Sequence, residues 1–171
     1  MKSARPDLEI RWKAFELRPD PVPLPNPNDE YRQMMWVKSI YPMAGRLGVK
    51  MRMPSRATRT RLAHEAAAWA RSAGIGEPMN DALFRAYFER SEDIGDPEVL
   101  VRLAADIQGG TGDAQSLRES LSRHDHLPAV LADEQLAGQY GLSGVPAFIC
   151  SGKGLVGVQD VDSLARLVSG S

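Results

Sequence analysis

Proline occupies positions 19, 21, 23, 25 and 27, and this ladder constrains the chain more than any other feature. Each ring fixes its own φ, removes an amide donor and pushes the preceding residue toward extended geometry. The stretch is therefore an extended loop, neither a helix nor an inner strand. Its P-x-P-x-P spacing differs from the P-x-x-P of polyproline ligands, so it reads as a connection and not as a recognition motif.

The ladder separates two different patterns. Ahead of it, Leu8-Glu9-Ile10-Arg11-Trp12-Lys13-Ala14-Phe15 alternates apolar and charged residues, which predicts a strand over residues 8–17 with one buried face. Behind it the residues favour helices. From Asn28, the residues Tyr31, Met34, Met35, Val37 and Ile40 predict a helix that breaks or kinks near Pro42, with the methionines and Trp36 read as core and the lining of a ligand groove as the alternative. Further helices are expected over 58–72, stopped by Gly74-Ile75-Gly76, and over 79–90, with Leu83, Phe84, Ala86, Tyr87 and Phe88 on a broad apolar face. Asp96-Pro97 supplies a cap and a first-turn proline for a helix through Ile107.

Gly109-Gly110-Thr111-Gly112-Asp113 lacks the Gly-Lys-Ser/Thr ending of a phosphate loop and reads as an interhelix turn. Helices over 114–123 and 128–140 follow. Two short strands, 147–150 and 155–158, flank the hairpin turn Ser151-Gly152-Lys153-Gly154, and a capped helix over 160–168 ends the pattern.

With 171 residues, 43% of them hydrophobic, the chain is expected to form a single domain with its own core. Its 21 basic and 22 acidic residues nearly cancel, which argues against nucleic acid or an anionic membrane as a partner. The arginine-rich run Arg52 to Arg61 has no interleaved aromatics for base stacking and reads as a solvated helix approach. No apolar stretch reaches signal-peptide or membrane-span length, so a cytoplasmic location is expected. Cys150 is the sole cysteine. This chain alone therefore cannot cycle between a dithiol and an intramolecular disulfide.

Three stretches resemble the DsbA-like thioredoxin superfamily, in particular its FrnE-like branch, which is related to the 2-hydroxychromene-2-carboxylate isomerases. They are Trp12-Lys13-Ala14-Phe15-Glu16-Leu17-Arg18-Pro19, then Leu83-Phe84-Arg85-Ala86-Tyr87-Phe88 with Ile94-Gly95-Asp96-Pro97-Glu98-Val99-Leu100, and Tyr140-Gly141-Leu142-Ser143-Gly144-Val145-Pro146-Ala147-Phe148-Ile149. The resemblance implies an α/β, thioredoxin-like (DsbA-type) fold with a large helical insertion over residues 28–140. It also implies that the central first strand and the first helix, which bears Cys-x-x-Cys in the family, are absent from this chain. In such a truncated domain, direct closure of the second strand against the strand after Pro146, a contact from another protomer in a homodimer formed through exposed sheet edges, or a native protein longer at its N-terminus would each answer that absence.

The same resemblance implies thiol-disulfide exchange on a thiol or disulfide peptide, inactive or incomplete here because the dithiol is missing. A non-catalytic peptide- or subunit-binding module is the alternative, as is a glutathione-dependent isomerase whose serine would also lie in the absent helix. No catalytic residue is assigned, and glutathione is the only cofactor the resemblance raises. The substrate groove is assigned to Val145, Pro146 and His64. In the family the proline matching Pro146 is cis, which would expose the Val145 backbone to an extended peptide. His64 lies in Arg59-Thr60-Arg61-Leu62-Ala63-His64, where the family often has asparagine at the position of Arg59. Cys150 in Ala-Phe-Ile-Cys reads as a small buried hydrophobe. His124, Asp125 and His126 read as a solvated loop without further metal ligands.

Overall fold

In the computed structural model, residues 8–107 and 113–170 are described; the expected interhelix turn at Gly109–Gly112 lies outside them. The chain divides into two compact units. One runs from Arg18 to Val130, and the other combines the residues up to Leu17 with those from Leu131 onward.

In the first unit the proline ladder is irregular, as its chemistry requires, and contains a cis Asp20–Pro21 bond that the sequence did not reveal. Arg59 holds this turn, its Nη1 donating to the carbonyls of Arg18 and Val22 at 2.7 Å each and its Nη2 reaching Asp20 Oδ1 at 3.3 Å. A helical run follows: α1 (Glu30–Met35), a π turn (Trp36–Ile40) and α2 (Tyr41–Arg46). The expected kink at Pro42 takes the form of this π turn. Proline cannot donate to the carbonyl one turn back, and a widened turn accommodates its ring. Trp36 is buried, but Met34 and Met35 are exposed, contrary to their reading as core.

The core of this unit is built by α3 (Arg61–Ser72), α4 (Gly76–Phe88), α5 (Pro97–Ile107) and α6 (Ala114–Arg123). Alanines 63, 66, 67 and 70 give α3 a smooth face on which Met79, Leu83, Leu100, Leu103, Leu117 and Leu121 pack. The cap between α3 and α4 explains their junction. Gly74 takes φ +76, its amide donates to Arg71 O at 3.2 Å, that of Ile75 donates to Ala70 O at 2.8 Å, and the Ile75 side chain is buried.

Before α5, Asp93 Oδ1 accepts from the Thr58 hydroxyl and from the Gly95 amide at 3.0 Å, while Oδ2 accepts from Arg56 at 3.3 Å. Burial raises the Asp93 carboxyl, but these hydrogen bonds and the Arg56 charge outweigh it and hold the group below its ordinary range. Gly95 is required here. A Cβ at that position would lie 2.5 Å from Thr58 Oγ1 and 2.9 Å from the Arg59 carbonyl.

In the second unit the strand expected over residues 8–17 does not form; the segment belongs to no ladder among the described residues. Its alternation survives only at Ala14 and Glu16, which are buried, whereas Ile10 and Trp12 are exposed. Asp133 on α7 (Leu127–Gln139) fixes it, accepting from Lys13 Nζ at 2.7 Å and from the Ala14 amide at 3.0 Å. A side chain thus supplies an acceptor that a neighbouring strand would otherwise provide.

The hairpin joins β1 (Ala147–Cys150) to β2 (Lys153–Val156), antiparallel, with Cys150 opposite Lys153. Its turn is the two residues Ser151 and Gly152, both at positive φ (51° and 79°), the handedness that suits strand twist. The second strand therefore begins two residues earlier than expected. α8 (Val161–Ser169) packs on both strands, capped by Asp160, whose Oδ1 accepts from the Ser163 amide at 2.6 Å. That amide is the leading cause of the lowered Asp160 carboxyl.

Candidate functional site

The loop leading into β1 begins where α7 stops. Gly141 adopts φ +65 and donates to Gly138 O at 3.0 Å, while the Leu142 amide donates to Ala137 O at 3.0 Å. This left-handed cap satisfies the last carbonyls of α7 and turns the chain toward Gly144-Val145-Pro146. The Val145–Pro146 bond is cis, as the resemblance implies.

At the loop's exit, the Pro146 carbonyl accepts from the Gly157 amide at 2.8 Å, with Gly157 at φ +86. That bond extends the hairpin by one pair and commits the Pro146 carbonyl to the fold. Val145 is different. It is 47% exposed, and among the described residues no hydrogen bond occupies its amide or carbonyl. An exposed apolar residue with open backbone groups, next to an anchored strand, is suited to pairing with an extended segment.

Cys150 closes β1. It is half-buried, its Sγ lies 3.9 Å from Ser151 Oγ, and the ammonium of its ladder partner Lys153 donates to the Gly170 carbonyl at 3.0 Å. With one cysteine in the sequence, no Cys-x-x-Cys accompanies the loop in this chain. His64, the third assigned residue, lies in the other unit on α3, half-buried, its amide donating to Thr60 O at 3.0 Å.

The structure adds an interaction that sequence reading missed. His124 stands at the left-handed end of α6, at φ +55, and its Nδ1 lies 3.0 Å from Oε1 of Glu65, a carboxylate only 1% exposed on α3. The second Glu65 oxygen has no hydrogen-bond partner among the described residues. The pair ties the turn after α6 to α3, while neighbouring Asp125 pairs with Arg123 at 2.9 Å. The only hint in the sequence was a histidine where glycine usually ends a helix.

In the same unit, an open cleft of about 570 Å³ is bordered by Arg85, Arg90 and Arg102. Each of these guanidiniums is already paired, with Asp81, with Glu92, or with Glu92 and Asp106. Among the described residues, no group of three or more His, Cys, Asp or Glu could hold a metal ion, and no helix is long and apolar enough to cross a membrane.

Comparison with known proteins places these features in a family. The DSBA-like thioredoxin domain matches residues 1–169. An uncharacterized protein of Bacillus subtilis (strain 168), YwbO, is 31% identical over 166 residues, covering 95% of this chain and 82% of the relative. The crystal structure of a probable DsbA oxidoreductase from Streptomyces coelicolor superposes with a TM-score of 0.71 at 25% identity, over 92% of this chain and 73% of that one. The helical block, the hairpin and the loop ahead of Pro146 are thus parts of one inherited architecture, and the chain belongs to the DSBA-like thioredoxin domain family.

Proposed function

We propose that this polypeptide is a peptide-binding member of the DsbA-like family, of the FrnE-like branch, and that it takes extended segments along the Val145–Pro146 loop without itself turning over disulfides. The observation that carries this reading is the open Val145 backbone beside an anchored Pro146 carbonyl. Strand-like recognition draws affinity from backbone hydrogen bonds and selectivity from alternate side chains. Val145 offers both.

Thiol-disulfide exchange needs an attacking thiolate and, for release by an internal route, a second thiol that resolves the mixed disulfide. The chain has one cysteine. It sits on the hairpin, four positions beyond the loop, and not at the head of a helix that would favour its thiolate. Recognition and redox chemistry are therefore separable in this polypeptide.

Performic-acid-oxidised insulin B chain, which has no thiol to exchange, provides a probe of binding alone. Labelled with a fluorophore, it is expected to bind saturably. Val145→Asp should weaken that binding by about tenfold or more while leaving the thermal midpoint unchanged, because an exposed side chain contributes little to folding. Insulin reduction by dithiothreitol should run at the uncatalysed rate. Catalysis abolished by Cys150→Ser would overturn the non-catalytic reading.

A further inference from the structure

The helical run ahead of the core presents a surface that its neighbours do not. From Tyr31 to Met53 the sequence has five basic residues and no acidic one, and it holds five of the chain's seven methionines. Tyr31, Met34, Met35, Val37, Leu47 and Val49 are all exposed, Tyr31 at 66% and Leu47 at 68%.

The segment is nevertheless well anchored. Trp36 is buried, with its ring 5.5 Å from Tyr41 and 6.3 Å from Phe88 between centroids. The Arg52 amide donates to Phe88 O at 2.5 Å, and the Met53 amide donates to the Tyr41 hydroxyl at 3.2 Å. A fixed scaffold thus displays flexible, polarizable side chains, the combination used by surfaces that accommodate apolar partners.

Charge identifies the kind of partner. Elsewhere in this unit many arginines are matched, among them Arg56 with Asp93, Arg85 with Asp81, Arg102 with Glu92 and Asp106, and Arg118 with Glu98. Lys38, Arg46, Lys50 and Arg52 are exposed and have no ion pair among the described residues. Four unmatched cations in one stretch with these exposed apolar residues call for a ligand that brings both carboxylates and apolar groups.

An anionic membrane would supply both, but helices that lie in membrane interfaces segregate their charges to the polar face. Here Lys38 follows Met34 by one turn on the exposed face of the run. We propose that Tyr31–Met53 is a docking surface for an acidic amphipathic helix of another protein, its apolar stripe against the methionines and its carboxylates on Lys38, Arg46, Lys50 and Arg52. This surface is independent of the Val145 loop and does not rest on its function.

The test uses the full chain and two labelled helical peptides, with Leu and Phe at i, i+3, i+4 spacing and either Glu or Lys at every other position. The Glu peptide should bind saturably, about tenfold or more tighter than the Lys peptide, and more weakly as salt rises. The double variant Lys38→Glu, Lys50→Glu should reduce Glu-peptide binding by about tenfold or more with an unchanged circular dichroism spectrum and thermal midpoint. Should it fail to fold, Met34→Ser and Val37→Ser provide the same readout from the apolar side. Equal binding of the two peptides, absence of Glu-peptide binding, or binding only to phosphatidylglycerol vesicles would each overturn the proposal.

Discussion

The helical unit and the hairpin unit are held together by different means. Around α3–α6 sixteen buried apolar residues form one continuous cluster. In the hairpin unit, no residue of β1, β2 or α8 is buried, and among the described residues the buried ones are Ala14, Glu16, Asp133 and Ala137. Two of those four carry carboxylates. Apolar packing therefore fixes the first unit, whereas polar contacts, those to Asp133 among them, hold the N-terminal segment of the second. A region with so little buried surface can leave a loop such as Val145–Pro146 open without losing a core it does not have.

The contrast is broken most strongly from the helical side. Leu100→Ala empties a fully buried position on α5 and should cost about 2–5 kcal/mol in urea unfolding, the range for a cavity that cannot collapse. A loss under about 1 kcal/mol would mean the cluster is loosely packed.

In the hairpin unit the corresponding variant is polar. Asp133→Ala leaves the Ala14 amide without its acceptor and releases Lys13, which should cost about 1–3 kcal/mol. Hydrogen exchange at the Ala14 amide should accelerate most. Asp133→Asn, which keeps an acceptor oxygen but not the charge, should restore much of that protection. Equal protection in all three proteins would show that packing, and not Asp133, positions the segment.

The smallest effect sharpens the comparison through pH. The Asp93 carboxyl is held below its ordinary range in the folded protein, so it contributes stability above the ordinary aspartate range and loses it as pH falls through the folded value. Asp93→Asn should therefore destabilise by about 1 kcal/mol near neutrality. The gap from wild type should close in acid, as followed by thermal unfolding across pH. A gap that widens in acid would contradict the assignment.

Local pattern reached far into this fold, and its limits were physical. The helix over 114–123 and the strand over 147–150 have the bounds that periodicity and punctuation predict, because cap and turn residues lie beside them in sequence. Residues 8–17 carry a strand's alternation, yet a ladder needs a distant partner, and the acceptor that meets Ala14 is Asp133, 119 positions away. The pairing of Glu65 with His124 was hidden for the same reason. Pro42 signalled a break but could not specify a π turn. Met34 and Met35 lie in a helical stretch, but local pattern does not say whether anything covers them. In the site, Val145 and Pro146 were legible through resemblance, and the open backbone at Val145 became visible only in three dimensions.

Amide chemical shifts of ¹⁵N-labelled protein, recorded while oxidised insulin B chain is added, test the recognition reading most directly. Saturable changes centred on Gly144, Val145 and Ala147, and absent in Val145→Asp, are the predicted result. Binding that leaves those amides unmoved, or that persists undiminished in Val145→Asp, would contradict it.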